Sequence, residues 1–475
     1  MGRMRRDRRV RTAAVLLASL TALLSAGCGQ IEFRTFLERM VYTPGAPQGI
    51  TAVFGNGKVT LDWTTMPDVE SYSLYWSTTG TVTTSDSRIG VASPPYVHQG
   101  LANYTSYSYM VTATRKGVEG GSSPTVTAMP SEYAKVFVYG VNKADKTISV
   151  FSMDIATGAL LLVETETAGL TQPRALAVAP NGAFAYAANY GSPGSVSVYR
   201  IDATNGTLTL VGSPVSGGSP LSICVTPDGS CVYAANWGTP GSVALYKFDG
   251  NGAIVSGYPE TYAAGDGTTH VLADPTGSYV FAINYTAPAA VSVFSITTGT
   301  GVLALVQTAS SDIGAYPISA SVDPTGKFYC IVNFAPSVNV RVHSITAVTG
   351  ELVYKSNATA GSDAVSAAID PSGRFLFVAN SNSWNVSGFL LNSITGALTS
   401  IENEGAGIDT LGTPTSTAVD PTGRFLLTAC NGGGNPDFIA THAIDQLTGQ
   451  LTYRSTAAIS ATGDLTHLAV LGEKF

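Results

Sequence analysis

The side chains best suited to chemistry in this sequence are two histidines and an arginine in matching surroundings. Two of the five histidines are His270, in TTHVLADP, and His467, in LTHLAVLG. Arg174, in QPRALAV, stands one place earlier in a third segment of the same kind. A histidine exchanges a proton near neutral pH, and an arginine binds anions. These three residues are therefore candidates for acid–base catalysis on a small molecule or for binding an anionic one.

The three segments belong to an internal repeat, which decides the fold before any site can be assigned. A Pro-x-Gly turn, followed by Asn seven residues after its glycine, begins at Pro180, Pro227, Pro275, Pro324 and Pro371. A sixth copy begins at Pro421, where Cys430 replaces the Asn. A Gly-x-Leu or Gly-x-Ile turn recurs with its glycine at positions 158, 206, 252, 301, 350, 396 and 449. Seven copies spaced 46 to 53 residues apart indicate seven equivalent units.

Each unit contains four short strands, for example RALAVA, AFAYAAN, SVSVYRI and GTLTLVG, with the Pro-x-Gly turn between the first two. Four strands in about 47 residues are typical of a β-propeller blade. Residues 134–142 match a second strand, and residues 465–472 match a first strand. The sequence therefore predicts a seven-bladed propeller over residues 134–472, whose C-terminal strand closes the first blade and leaves no free edge.

The candidate residues fall near the start of the predicted inner strand of each blade. Five places before the turn proline the sequence has Ala175, Ser222, His270, Ser319, Ser366 and Ser416, and the closing strand has His467 at the equivalent place. Because inner strands converge on the propeller axis, this column is predicted to surround one mouth of the channel. The alternative is a structural column, in which small and polar side chains satisfy backbone groups and ordered water.

The sequence offers neither histidine an evident partner that would tune its pKa for acid–base catalysis. A Ser–His pair can be drawn between His270 and Ser222 or Ser319 on adjacent blades. No acid would orient that pair, however, and no Gly-x-Ser-x-Gly turn occurs in the chain. We find no pattern that calls for a metal or another cofactor.

Four aromatic residues give a different signal on the same predicted face. Tyr190, Trp237, Tyr285 and Phe334 each follow the Asn of the repeat in four successive blades. If they are equivalent, they form an arc that could stack on sugar rings or on a peptide. The alternative is that each ring fills the gap between two neighbouring blades.

A smaller β-domain is predicted ahead of the propeller. From residue 47 to 130 apolar and polar residues alternate in short runs such as KVTLDW, SYSLYWS and YSYMVTAT, which favours a β-sandwich. Trp63 and the spacing of Leu101 and Tyr107 resemble a fibronectin type III domain. The resemblance implies that Tyr107 forms the tyrosine corner of the sandwich and that the domain acts as a spacer.

The first 27 residues have the pattern of an export signal, a basic stretch followed by the apolar run AAVLLASLTALL and small residues. The sequence LSAGC resembles the lipobox of bacterial lipoproteins, which implies acylation of Cys28 and a tether over residues 28–46. Ordinary signal-peptide cleavage remains the alternative. Export would permit a disulfide, and Cys224 and Cys231 flank one turn closely enough to leave that pairing open.

The repeat as a whole resembles the seven-bladed lactonase family, which includes bacterial 6-phosphogluconolactonases, and the related YVTN-type propellers. The segments that carry the resemblance are DPTGSYVFAIN, DPSGRFLFVAN and the ATGAL and TGEL turns. That family has a Pro-Arg-His run at the inner strand, where Arg174 matches the Arg and His270 and His467 match the His. The family's glutamate after the Asn is absent; the aromatic residues or Lys143, Ser381 and Asn431 stand there instead.

Two functions follow from these observations. The leading hypothesis is a monomeric lipoprotein of the cell envelope, anchored in the outer membrane, periplasm or cell surface, whose propeller binds a small molecule or a protein through the aromatic arc. The alternative is an exported lactone hydrolase using Arg174, His270 and His467. Without residues 1–27 the chain has 19 Lys and Arg against 31 Asp and Glu, a net charge of −12, so nucleic acid is not an expected partner.

Overall fold

The computed structural model describes residues 43–167, 169–335, 337–401, 408–433, 436–459 and 464–474. These residues divide into two compact units, with the boundary between Glu132 and Tyr133. The predicted signal segment, Cys28 and most of the tether lie outside the described residues. Within the described ranges every regular element is a β-strand, and no helix is long and apolar enough to cross a membrane.

The first unit is built from eight strands in two antiparallel sheets. The strands are β1 (Thr51–Gly55), β2 (Lys58–Asp62), β3 (Ser71–Ser77), β4 (Ser87–Val91), β5 (Tyr96–Gln99), β6 (Tyr107–Arg115), β7 (Val118–Glu119) and β8 (Val126–Ala128). One sheet has the order β1-β2-β5; the other has the order β4-β3-β6-β7, with β8 also paired to β6. The Tyr107 hydroxyl accepts a hydrogen bond of 3.1 Å from the Ala102 N–H, which ties the preceding loop to the start of β6.

The second unit contains seven antiparallel sheets, each of which is one blade of a propeller. Blade one is formed by β9 (Tyr133–Asn142), β10 (Thr147–Met153), β11 (Leu160–Glu166) and β38 (Leu465–Lys474); blade two by β12 (Pro173–Val178), β13 (Phe184–Asn189), β14 (Ser195–Ile201), β15 (Leu208–Leu210) and β16 (Val215–Ser216); blade three by β17 (Pro220–Val225), β18 (Val232–Asn236), β19 (Ser242–Tyr246) and β20 (Glu260–Ala263).

Blade four is formed by β21 (Thr268–Ala273), β22 (Tyr279–Asn284), β23 (Ala290–Ile296) and β24 (Leu303–Ala309); blade five by β25 (Pro317–Val322), β26 (Phe328–Asn333), β27 (Val340–Ile345) and β28 (Leu352–Ala358); blade six by β29 (Ala364–Ile369), β30 (Phe375–Asn380), β31 (Asn385–Leu391), β32 (Leu398–Ser400) and β33 (Ile408–Asp409); blade seven by β34 (Thr413–Val419), β35 (Phe425–Asn431), β36 (Phe438–Ile444) and β37 (Leu451–Ala458). The C-terminal strand β38 pairs with β9, so the predicted closure of the first blade is confirmed.

The Gly-x-Leu turns join each blade to the one before it. Every turn glycine has a left-handed backbone with φ between 74° and 86°, and a Cβ there would collide with a side chain in the second strand of the preceding blade or directly before it. In six of the seven turns that side chain is aromatic, as with Gly206 against Phe137, and for Gly301 it is Cys231. The repeated glycine is therefore required both by the turn and by the contact between blades.

Basic side chains of neighbouring blades donate hydrogen bonds to backbone carbonyls of these turns. The Lys135 ammonium of blade one donates to the carbonyl of Thr204 in blade two at 2.7 Å, and the Lys247 ammonium of blade three donates to Gly299 in blade four at 2.8 Å. Equivalent bonds start from Arg200, Lys327, Arg374 and Arg424. The last of these joins blade seven to blade one, so these bonds cross the closure of the ring.

Two of the five histidines are core residues rather than candidates for chemistry. His343 and His442 are each 1% exposed, and each lies opposite a tyrosine of the outer strand, Tyr354 and Tyr453, with ring centroids 5.7 and 5.8 Å apart. Burial lowers the pKa of both imidazoles to about 4. Both are therefore neutral packing groups at neutral pH.

The close approach of blades three and four yields a direct stability test at Gly301. Gly299, two residues earlier in the same turn, also has φ of 79° but has no atom within 4 Å of its Cβ position. Both Gly→Ala variants incur a left-handed backbone cost of about 1–2 kcal/mol. Gly301→Ala also overlaps Cys231, so we expect its free energy of unfolding in urea to fall by about 1–3 kcal/mol more. Equal losses in the two variants would contradict this account of the repeat.

Candidate functional site

A cavity of about 430 Å³ opens on the propeller axis and is lined by the beginnings of all seven inner strands. Each inner strand has a β-bulge there, because its pairing with the second strand skips one residue. In blade four, for example, Thr268 pairs with Asn284 and His270 with Ile283, which leaves Thr269 as the extra residue. Bulges bend a strand and re-aim its side chains, and here the same bulge occurs in every blade.

The bulges give the cavity two rings of seven residues. The bulge ring consists of the extra residues Arg174, Leu221, Thr269, Ile318, Val365, Thr415 and Thr466. The column ring consists of the next residues, Ala175, Ser222, His270, Ser319, Ser366, Ser416 and His467. All fourteen line the cavity. The structure thus brings the predicted Arg174, His270 and His467 into one cavity, although they come from three different blades, and their catalytic role remains a prediction.

Side chains of the column ring also connect the inner strands to one another. The inner strand of a blade is the edge of its sheet, so the N–H groups on its free edge have no partner strand. Ser222 accepts from the Val271 N–H of the next blade at 3.3 Å, and His467 accepts through Nδ1 from the Leu176 N–H at 3.5 Å. Equivalent bonds link Ser366 to Thr417 and Ser416 to Leu468. The structural interpretation of the column therefore applies at these four junctions.

The same bonds distinguish the two histidines. Because Nδ1 of His467 accepts a backbone hydrogen bond, the proton of the neutral ring lies on Nε2. His270 makes no such bond, and its Nδ1 is buried without a partner. Burial lowers the pKa of His270 to about 4, with a smaller contribution from the repulsion that a protonated His467 would exert. Burial also lowers the pKa of His467 to about 4. Both imidazoles are neutral at neutral pH.

Arg174 is the one charged residue that lines the cavity in the described part of the chain. Its guanidinium carbon lies 5.3 Å from the centre of the Tyr190 ring, and its Nε is buried without a hydrogen-bond partner. None of the described residues forms an ion pair with it. With both histidines neutral, the cavity carries a single positive charge, which favours a ligand with one anionic or strongly polar group.

The side chains of the aromatic arc do not line the cavity, although Tyr190 contacts the lining residue Arg174, and all four retain exposure to solvent. The side chains of Trp237 and Phe334 are each 39% exposed, and Tyr190 and Tyr285 are half-buried. The Trp237 and Tyr285 rings are 6.4 Å apart, so these aromatics lean toward the next blade without being enclosed by it. Their role in ligand binding remains a prediction.

Two features of the site were not foreseen from the sequence. Tyr316, which is 52% exposed, extends the arc because its ring lies 5.4 Å from that of Tyr285. Ser381, the residue after the Asn in blade six, lines the cavity. Both residues occupy fixed positions of the repeat: Tyr316 directly precedes an inner strand, and Ser381 directly follows the Asn. Only the fold shows which residues at these positions are exposed or line the cavity.

Cysteine and metal chemistry find no support among the described residues. The thiols of Cys224, Cys231, Cys330 and Cys430 are free, which resolves the pairing of Cys224 with Cys231 that the sequence left open. Burial raises the pKa of the Cys224 and Cys430 thiols to about 12, so neither is a nucleophile at neutral pH. No described group of three or more His, Cys, Asp and Glu side chains is placed to hold a metal ion.

Comparison with known proteins places the propeller among lactonase-type folds. A family model described as "Lactonase, 7-bladed beta-propeller" matches residues 131–269, and no curated protein matches the chain. A Bacteroides uniformis protein provisionally named a 6-phosphogluconolactonase is 19% identical, with a TM-score of 0.60, and the match covers 71% of this chain and 99% of that one. The periplasmic gluconolactonase of Pseudomonas aeruginosa is 20% identical, with a TM-score of 0.59 and the same coverage. The second unit of this chain is therefore an all-β, seven-bladed propeller with the fold of these lactonases.

Proposed function

We propose that the axial cavity binds a sugar lactone and hydrolyses it. The observation that supports this most is the meeting of Arg174, His270 and His467 in one cavity, in a propeller whose fold is shared by a gluconolactonase of Pseudomonas aeruginosa. These are the cavity residues able to bind an oxyanion or move a proton. The proposal replaces binding through the aromatic arc as the primary function of the molecule.

The two histidines differ in hydrogen bonding, because Nδ1 accepts a backbone bond in His467 and has no partner in His270, and this difference suggests a separate role for each. His270 has Nε2 left to accept a proton from water as the water oxygen bonds to the lactone carbonyl carbon. His467 carries its proton on Nε2 and donates a hydrogen bond to the carbonyl oxygen, and Arg174 stabilises the negative charge that develops there. The ring C–O bond then breaks, His270 returns the proton to the leaving oxygen, and the product is an open-chain hydroxy acid.

The low basicity of His270 limits the reactions that this cavity can perform. A general base is most effective when its pKa lies near the working pH, whereas that of His270 is lowered to about 4 by burial and the charge of His467. Such a base suits an acyl group that is already electrophilic, as in a lactone. It does not suit an unactivated amide, so peptide hydrolysis is not part of the proposal.

A second candidate function is ligand binding without hydrolysis. It is favoured by the absence of Asp and Glu from the described cavity lining and by the exposed aromatic side chains beside it. In that case Arg174 and the hydroxyl groups of the bulge ring and the column ring would hold a hydroxy acid or sugar. The histidines would then serve as hydrogen-bonding groups only.

Assays with D-glucono-1,5-lactone separate the two functions. Replacing the base should lower kcat/KM of His270→Asn at least about 100-fold, and loss of charge stabilisation should have a similar effect in Arg174→Ala. Arg454→Ala, which alters an exposed arginine on β37, is the matched control and should retain wild-type activity. A wild-type protein that binds the lactone without accelerating its hydrolysis would contradict the enzymatic proposal and leave the binding function.

The pH profile tests the role of His270 separately. A neutral imidazole is required as the base, so activity should persist above pH 4 and be lost as the pH falls through about 4, where the pKa of His270 lies. An ordinary histidine of pKa about 6.5 would already be about 99% protonated at pH 4.5. Near-constant kcat/KM from pH 7 down to 5 supports the assignment, and a loss centred near pH 6.5 opposes it.

We also propose that the protein is exported and anchored through an acylated Cys28, which lies outside the described residues. The basic and apolar segment before it and the LSAGC sequence support this. Stable anchoring needs more than one acyl chain, as lipoprotein acylation provides. In cell fractionation, the wild-type protein should sediment with membranes and Cys28→Ala should not; equal distribution of the two proteins would rule out this anchor.

A further inference from the structure

Four aromatic side chains on blades three, four and five lie beside the starts of the inner strands, at the end of the propeller where the axial cavity opens. This aromatic platform consists of Trp237, Tyr285, Tyr316 and Phe334. The rings of Trp237 and Tyr285 are 6.4 Å apart, and those of Tyr285 and Tyr316 are 5.4 Å apart. Three of the four are between 39% and 52% exposed, so the platform presents ring faces and edges to solvent rather than completing the core.

The platform residues are held next to the inner strands by a backbone bond that recurs around the propeller. In each case the N–H of the residue after the Asn donates to the carbonyl of a residue just before the inner strand, as Phe334 does to Tyr316 at 2.9 Å and Trp237 to Ser219 at 3.0 Å. Ser381 makes the same bond to Asp363, and Ser381 lines the cavity. The platform residues do not line the cavity themselves, but they lie at the same end of the propeller as its opening.

Tyr316 adopts a backbone conformation that its side chain does not favour. Its φ is 54°, a left-handed value that is uncommon for a bulky residue. Asp312 and Gly314 in the same short loop are also left-handed, with φ of 59° and 95°, while Ile313 between them is fully buried. The equivalent residues Gly267, Asp363 and Asp464 are left-handed as well, so this conformation belongs to the repeat, and in blade five it presents an exposed tyrosine.

The rest of the rim has a different character. The corresponding positions on blades six, seven and one are Ser381, Asn431 and Lys143, and the Lys143 ammonium is paired with Asp464. At this position the rim thus has aromatic residues on blades two to five, with Tyr190 covered by Arg174, and polar residues on blades six, seven and one. His270 of blade four lies at the start of the inner strand on the aromatic side.

The chemistry of both regions fits a chain of sugar rings. Pyranose rings have apolar C–H faces that stack on aromatic rings, and their hydroxyl groups need hydrogen-bonding partners, which the cavity offers in Ser, Thr and His side chains with one positive charge. A highly charged ligand would find little to pair with. We propose that the aromatic platform binds the sugar rings of a neutral oligosaccharide whose lactone end enters the axial cavity.

This inference names the substrate class of the proposed lactone hydrolase and rests on that function only for the lactone end. Such a lactone forms when the reducing-end hemiacetal of an oligosaccharide loses two electrons and two protons to an oxidant. The class of reaction that would supply the substrate is therefore oxidation at the anomeric carbon. Hydrolysis would then convert the lactone irreversibly at neutral pH, because the acid product ionises.

Calorimetry with neutral oligosaccharides tests the platform without requiring catalysis. We expect the wild-type protein to bind cellotetraose or maltotetraose at least about tenfold more tightly than glucose, and we expect Tyr285→Ala to lose that preference. Tyr453→Ala, which removes an exposed tyrosine from the outer strand of blade seven, is the matched control and should retain it. Failure to bind either tetrasaccharide, or equal affinity for glucose, would overturn the proposal, as would undiminished binding by Tyr285→Ala.

A second variant separates loss of binding from loss of folding. Tyr316→Gly removes the ring but relieves the left-handed strain, so it should unfold at the same temperature as the wild type or higher while binding tetrasaccharide at least about tenfold more weakly. Tyr316→Phe retains the ring and should bind like the wild type. Normal tetrasaccharide binding by Tyr316→Gly would contradict the role assigned to this residue.

Kinetics distinguish failure of the platform from failure of the enzymatic proposal. With the lactone of cellotetraonic acid as substrate, Tyr285→Ala should raise KM about tenfold and leave kcat unchanged, whereas the KM for glucono-1,5-lactone should not change. Tetrasaccharide binding without lactone hydrolysis would support the platform and refute the hydrolase. Lactone hydrolysis without tetrasaccharide binding would do the reverse.

Discussion

The inner edge of every blade must satisfy backbone N–H groups that have no neighbouring strand, and much of the site follows from this constraint. A bulge at the same place in each inner strand aims two successive side chains at the axis. Serine or histidine from one blade then accepts a hydrogen bond from the next blade at four junctions. The residues that complete the ring are thus also the residues that line the cavity.

Because four column residues accept these hydrogen bonds and all seven line the cavity, few residue types occur in the column ring, namely Ala, Ser and His. Serine is small and can accept a backbone hydrogen bond, so it suits a position where seven strands converge. His467 meets the same demand through Nδ1, and Nε2 remains for another partner. His270 is the exception, because its Nδ1 is buried without a hydrogen bond. A buried polar atom without a partner lowers stability, so His270 is the column residue least explained by packing.

The repeat made most of the fold predictable, because the spacing of the Pro-x-Gly and Gly-x-Leu turns fixed the number of blades and the closure by residues 465–472. The site was only partly predictable. The equivalence of His270 and His467 followed from their distance to the turn, and Arg174 was noted one position earlier. A bulge leaves no mark in the strand pattern, however, so it was not foreseen that both positions line the axis in all seven blades. Tyr316 was missed because its exposure depends on a left-handed backbone in a loop without regular structure.

The molecule combines a cavity of low charge with an aromatic rim on one side. Burial keeps the histidines neutral, and Arg174 supplies the positive charge. A crystal structure of the protein soaked with cellotetraonic acid, the product expected from an oligosaccharide lactone, tests this arrangement most directly. We predict the carboxylate beside Arg174 and His270 in the axial cavity, with a sugar ring on Tyr285 or Tyr316. An empty axial cavity, with the ligand bound elsewhere on the propeller, would contradict the account.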